Sequence, residues 1–158
     1  MKNQEVARLA EMYLDDVYRI ALVSCKSSAD ADDIVQNTFL KLLGRLTKFN
    51  SDEHAKRWLI RVAINEANML WRKRKRAGEV QEEEAPAFYD ELETEEGELL
   101  SAIRALPDRY RQIIHLYYFE EYNSNEIAGI LKLSPDNVRQ ILSRARKQLR
   151  EELKEEKL

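Results

Sequence analysis

Apolar residues in this chain recur three and four positions apart rather than two. Val6, Leu9, Ala10, Tyr13, Leu14, Val17, Tyr18 and Ala21 set the pattern, which traces one side of a helix turning about 100° per residue. Ile34, Val35, Thr38, Phe39, Leu42 and Leu43 repeat it, and so do Leu59, Val62, Ala63, Ala67, Leu70 and Trp71. Only four glycines and three prolines occur in 158 residues, too few for the many turns of a sheet protein. The expected fold class is all-α.

Polar punctuation divides the periodic segments. A break at Lys26-Ser27-Ser28 ends the first helix, and Ser28 is the expected cap of the second. Asp30, Asp32 and Asp33 fall in that helix's first turn, where acids complement the dipole. The stretch Leu46 to His54 breaks the pattern as a loop, with a third helix expected from about Asp52 to Arg76. On that helix Arg57, Arg61, Asn65, Asn68 and Arg72 follow at steps of four, four, three and four, so they share one polar stripe. The helix ends in five consecutive bases, Arg72 to Arg76.

The net charge of −3 hides a segmented distribution. Residues 1–78 hold 15 Lys/Arg and 10 Asp/Glu, residues 79–98 hold 10 acids and no base, and residues 99–158 hold 11 bases and 9 acids. Two mildly basic segments thus flank a strongly acidic one that contains Pro86 and has too little apolar content to fold alone. Its aromatics, Phe88 and Tyr89, are candidates for docking elsewhere. The expected organisation is a three- or four-helix domain at 1–78, an acidic linker at 79–98 and a four-helix domain at 99–158.

In the last segment Leu99, Leu100 and Ile103 resume the periodicity, Pro107 marks a helix start, and Ile113, Ile114, Tyr117 and Tyr118 follow. Ser124 to Leu131 reads as a short helix burying Ile127, Ala128 and Leu131, and Lys132-Leu133 as a tight turn. Ser134-Pro135 then opens a second helix, with a capping hydroxyl and a proline where its missing N–H costs nothing. Val138, Leu142, Ala145 and Leu149 line one side of it, while Arg139, Gln140, Ser143, Arg144 and Lys147 occupy the other. A short helix, a tight turn and a longer basic helix make a helix-turn-helix. Gln pairs bidentately with adenine, Arg with guanine, and surrounding cations neutralise phosphates.

The segment LPDRYRQIIHLYYFEEYNSNEIAGILKLSPDNVRQILSRARKQLREEL, Leu106 to Leu153, closely resembles the C-terminal promoter-binding domain of bacterial sigma factors. The two-domain layout is similar to their extracytoplasmic-function group. DADDIVQNTFLKLL, Asp30 to Leu43, resembles that group's core-binding helix, and WLIRVAINEANMLWRKRKR, Trp58 to Arg76, its helix for the downstream promoter element. The resemblance implies that Asp32, Asp33, Gln36 and Phe39 contact the beta-prime clamp coiled coil of the RNA polymerase core. It implies that Arg57, Arg61, Asn65, Asn68, Arg72, Arg74 and Arg76 contact downstream promoter DNA, including its melted strand. Arg139, Gln140, Ser143, Arg144 and Lys147 would contact the upstream element, and an anti-sigma factor would be a further partner.

Other classes find little support in the residues. His54 and His115 are isolated from any metal-ligand spacing. No Gly-rich phosphate loop or nucleophile–base pair stands out, so catalytic residues, metals and cofactors are not expected. Cys25 is the single cysteine, which suits a reducing compartment, and no apolar run is long enough to insert in a membrane. The expected location is the cytoplasm. Taken from the residues alone, a helix-turn-helix repressor or activator acting without core binding remains open, as does a helical adaptor that never touches DNA.

Overall fold

The computed structural model describes residues 3–25, 27–78 and 95–156. Every regular element among them is helical, and the chain divides into two compact units, Met1–Glu84 and Ala85–Leu158. Residues 79–94, most of the expected acidic linker, lie outside the described residues. The helix expected from Leu99 begins at Glu95.

The first unit holds three mutually packed helices, α1 (Asn3–Ser24), α2 (Ser28–Leu43) and α3 (Asp52–Arg76). Their shared core contains Leu9, Val17 and Ile20 of α1, Ala31, Ile34 and Leu42 of α2, and Leu59, Ile60, Ala63 and Ala67 of α3. Thr38 is fully buried, its hydroxyl satisfied by donating to the Ile34 carbonyl at 2.7 Å. The cap of α2 is Ser27, not Ser28: its hydroxyl accepts from the Asp30 N–H at 3.1 Å. Ser51 caps α3 in the same way, accepting from the His54 N–H at 3.0 Å.

Three apolar assignments shift. Leu14 lies at the margin of the α1 face and is exposed. Leu43 is about 180° from Ile34 around α2 and also faces outward. In α3 the buried face centres on Ile60, Ala63 and Ala67, leaving Val62, Leu70, Trp58 and Trp71 half-buried.

The second unit contains α4 (Glu95–Arg104), α5 (Asp108–Ile114), a π-helical turn (His115–Phe119), α6 (Ser124–Leu131) and α7 (Pro135–Glu156). Pro107 caps α5, one residue ahead of its first turn. Arg111 is buried, and its guanidinium donates to the Leu106 carbonyl at 2.6 Å and to Asp108. The core includes Ile103, Leu106, Ile113, Ile114 and Leu116, which meet Ile127, Ile130, Val138, Leu142 and Ala145. Ile130 and Ile141 are buried in addition to the residues expected from spacing.

Candidate nucleic-acid interface

The approach to α7 is built by local hydrogen bonds. Asn123 caps α6 by accepting from the Glu126 N–H at 2.9 Å, and the Glu126 carboxylate accepts from the Asn123 N–H at 3.0 Å. This is a capping box, which satisfies two orphan donors at once. Lys132 then ends α6 with φ 56° and ψ 45°, the left-handed region. That conformation lets the Leu133 N–H reach the Ala128 carbonyl at 3.0 Å and turns the chain sharply. Ser134 accepts from the Asn137 N–H at 3.1 Å, and Pro135 takes the first helical position of α7.

Around α7, Val138, Ile141, Leu142, Ala145 and Leu149 are buried and occupy about 100° of arc. Arg139, Gln140, Ser143, Arg144 and Lys147 are all exposed on the opposite side. The structure therefore gathers the five expected upstream-element residues on one solvent face. Arg139 pairs with Asp136 across an exposed i,i+3 step, a bond of little strength in water. Arg146 is different: it donates to the Tyr118 hydroxyl at 2.7 Å and lies 5.1 Å from the Tyr117 ring centre, within the unit. The phenol hydrogen bond raises the Arg146 pKa.

On α3 the stripe Arg57, Arg61, Asn65, Asn68 and Arg72 spans about 80° of arc. Asn65 and Arg72 are exposed, while Arg57, Arg61 and Asn68 are half-buried. Arg57 lies 3.4 Å from Glu53. Lys75 and Arg76 extend the stripe into the last turn, both exposed. Arg74 sits about 140° from the stripe's centre, in phase with buried Ala63 and Ala67. Its guanidinium is bonded through both terminal nitrogens to Asp30, whose side chain is 5% exposed. Thus Arg74 is separated from the other expected DNA contacts. Before α3, Arg45 stacks 4.1 Å from the Phe49 ring centre, and Phe49 packs against Trp58 and His54, fixing the loop that leads into the helix.

The outward side of α2 carries Asp32, Gln36, Phe39 and Leu43 within about 60° of arc, with Asp33 and Leu40 beside them. Asp32, Asp33 and Gln36 are exposed and Phe39 is half-buried. Leu40 and Leu43 are 56% and 55% exposed. These two leucines are absent from the sequence-derived set, although their positions about 120° and 180° from Ile34 on the helical wheel turn them away from the core.

A helix-turn-helix with a polar, basic second helix, carried with a second helical unit bearing its own polar stripe, defines a DNA-binding regulator. Comparison with known proteins refines the class. Residues 9–77 match the family model for Sigma-70 region 2, and residues 96–149 match that for Sigma-70 region 4. The chain is 30% identical over 156 residues to the ECF RNA polymerase sigma factor SigM of Bacillus subtilis, covering 92% of this chain and 93% of that protein. It is 33% identical over 146 residues to the RNA polymerase sigma factor SigV of the same organism, covering 90% and 87% respectively. Its fold matches the sigma factor RpoE solved in complex with the anti-sigma factor NepR from Bartonella quintana, with a TM-score of 0.78 and 24% identity over 96% of this chain and 98% of that one. It also matches CnrH, solved in complex with the cytosolic domain of CnrY, with a TM-score of 0.70 and 24% identity over 97% and 90%.

The chain belongs to the extracytoplasmic-function group of RNA polymerase sigma factors, and it directs RNA polymerase to promoters. This family membership does not favour a repressor or activator acting without the core enzyme. No helix among the described residues is long and apolar enough to cross a membrane.

Proposed function

We propose that the two units divide promoter recognition between them. The first unit binds the polymerase core through the outward side of α2 and the downstream promoter element through the stripe of α3. The second reads the upstream element with α7. The observation that carries this reading is the exposed basic face of α7, together with a partly exposed polar stripe on α3, each turned away from its helix's buried row.

On α2 the chemistry suits a protein partner. Phe39, Leu40 and Leu43 supply apolar area, and Asp32, Asp33 and Gln36 supply flanking polar contacts, the usual anatomy of a binding hot spot. The beta-prime clamp coiled coil is the proposed partner. On α3, arginines and asparagines suit a backbone with exposed bases: guanidinium groups neutralise phosphates while amides hydrogen-bond base edges, which favours a melted strand and assists opening. On α7, Arg139 and Gln140 read base edges, and Ser143, Arg144 and Lys147 set the register on the backbone.

The protein supplies recognition and carries out no catalysis of its own, since nucleotide chemistry belongs to the polymerase. It acts in the cytoplasm with no resident metal or cofactor. An anti-sigma factor that covers these same faces is a further proposed partner, supported by the complex with an anti-sigma factor in which RpoE was solved.

The test is binding of reconstituted holoenzyme to promoter DNA in which the upstream or the downstream element is scrambled separately. Substitutions on α7 should remove discrimination at the upstream element alone, and substitutions on α3 at the downstream element alone. If α7 variants lose downstream discrimination instead, the division of labour is wrong.

A further inference from the structure

The five bases from Arg72 to Arg76 occupy consecutive positions, so a helix distributes them around its whole circumference. Arg74 is the one that points inward. It continues the line of Ala63 and Ala67 past the end of the apolar core, and there it meets Asp30 in the first turn of α2. Asp30 is 4% exposed. Its own N–H is held by Ser27, and its carboxylate accepts both Arg74 terminal nitrogens. A bidentate guanidinium–carboxylate pair fixes direction as well as distance. Both charges also suit their positions, an acid at a helix start and a base at a helix end.

We infer that Asp30 and Arg74 are positioning residues for DNA binding. Their pair anchors the last turns of α3 to α2, aiming Arg72, Lys75 and Arg76 at DNA while Arg74 itself makes no phosphate contact. This inference rests on the assignment of the α3 stripe to promoter DNA. Asp30 is an acid, and by charge alone its removal from a protein that binds a polyanion should tighten binding. Loss of the anchor should weaken it instead.

The experiment measures promoter affinity of reconstituted holoenzyme as a function of salt, for the wild type, Asp30→Asn, Arg74→Gln and the double variant. Each phosphate contact is worth roughly threefold in affinity across a moderate salt range. Asp30→Asn should therefore weaken binding by about three- to tenfold, and lower the salt slope although no cation has been removed. The double variant leaves no buried charge unpaired and lets two amides hydrogen-bond, so it should bind more tightly than Arg74→Gln. Unchanged or tighter binding by Asp30→Asn would overturn the inference. So would a double variant as weak as Arg74→Gln, which is the pattern of a direct phosphate contact. If a single variant fails to assemble with core, the double against wild type decides, with assembly and near-wild-type affinity expected. If all three fail to assemble, the pair belongs to the global core and the positioning role is wrong. Failure of the wild-type holoenzyme to bind promoter DNA would instead overturn the assignment of the stripe itself.

Discussion

Asn123 and Glu126 exchange hydrogen bonds at the start of α6, each side chain accepting the other's backbone N–H. Replacing Asn123 with Ala should cost about 1 kcal/mol of stability in the second unit. Lys132, at the other end of α6, should respond oppositely. Its left-handed backbone is a conformation that glycine adopts freely, so Lys132→Gly should stabilise by up to about 1 kcal/mol. Thermal or urea unfolding of the two variants checks both signs. A destabilising Lys132→Gly would mean that the lysine side chain contributes more than its backbone strain removes.

Arg139→Ala and Gln140→Ala should change which upstream sequences are preferred, at about 1–3 kcal/mol per affected base pair. Lys147→Ala should weaken all sequences alike, because a phosphate contact positions without specifying. Selection from a randomised upstream element separates the two effects. Identical preferences in all three variants would remove α7 from base readout.

Combined Asp33→Ala and Gln36→Ala should weaken core polymerase binding by about 2–5 kcal/mol without unfolding the first unit, since both side chains are exposed. Leu40→Ala and Leu43→Ala should weaken it as well, while leaving the helical core intact. Titration against core enzyme measures the loss, and circular dichroism checks the fold. Unchanged affinity would place the core contact on another face.

Arg8 joins the first turns of α1 and α3 by donating to Asp52 at 2.7 and 3.0 Å and to Glu5 at 2.7 and 3.2 Å. Hydrogen bonds from Arg8 lower both carboxyl pKa values. A carboxyl group whose folded pKa is depressed stabilises the fold above its unfolded value and loses that contribution as pH falls through the folded value. Wild type should therefore exceed Arg8→Ala in stability at neutral pH, with the gap closing below about pH 4, the ordinary carboxyl range. Because these groups are exposed, the gap should be small and should shrink in high salt. Paired unfolding curves at neutral and acid pH test the sign.

Helices are legible in this chain because a periodic core leaves its spacing in the residues, and capping leaves serine, asparagine and proline at the ends. The α7 face is legible for the same reason: Arg139, Gln140, Ser143, Arg144 and Lys147 fall opposite a continuous apolar row. Arg74 shows where linear reading ends. Five adjacent bases look like one patch, but their destination depends on the buried acid that packing brings beside one of them, 44 residues away. Ser27 and Ser28 illustrate a smaller limit, since two adjacent hydroxyls are equally able to cap and backbone geometry chooses between them. Leu40 and Leu43 reveal a third. Exposed apolar residues resemble core in composition, and only the phase of α2 relative to Ile34 distinguishes them.

Joint action of two recognition units on the polymerase core makes initiation depend on the spacing between the two promoter elements. In vitro transcription across promoters of graded spacing between upstream and downstream elements tests it most directly, using purified core enzyme and full-length protein. The acidic segment 79–98 holds 20 residues with 10 acids and no base, and it lies between the basic helices of the two units. Covalent linkage through such a segment supplies the effective concentration that separate units lack. Specific transcripts should therefore appear over a narrow range of spacings, and removing about ten residues of the segment should shorten the tolerated spacing or abolish transcription. Absence of initiation from core enzyme at every spacing would contradict the account.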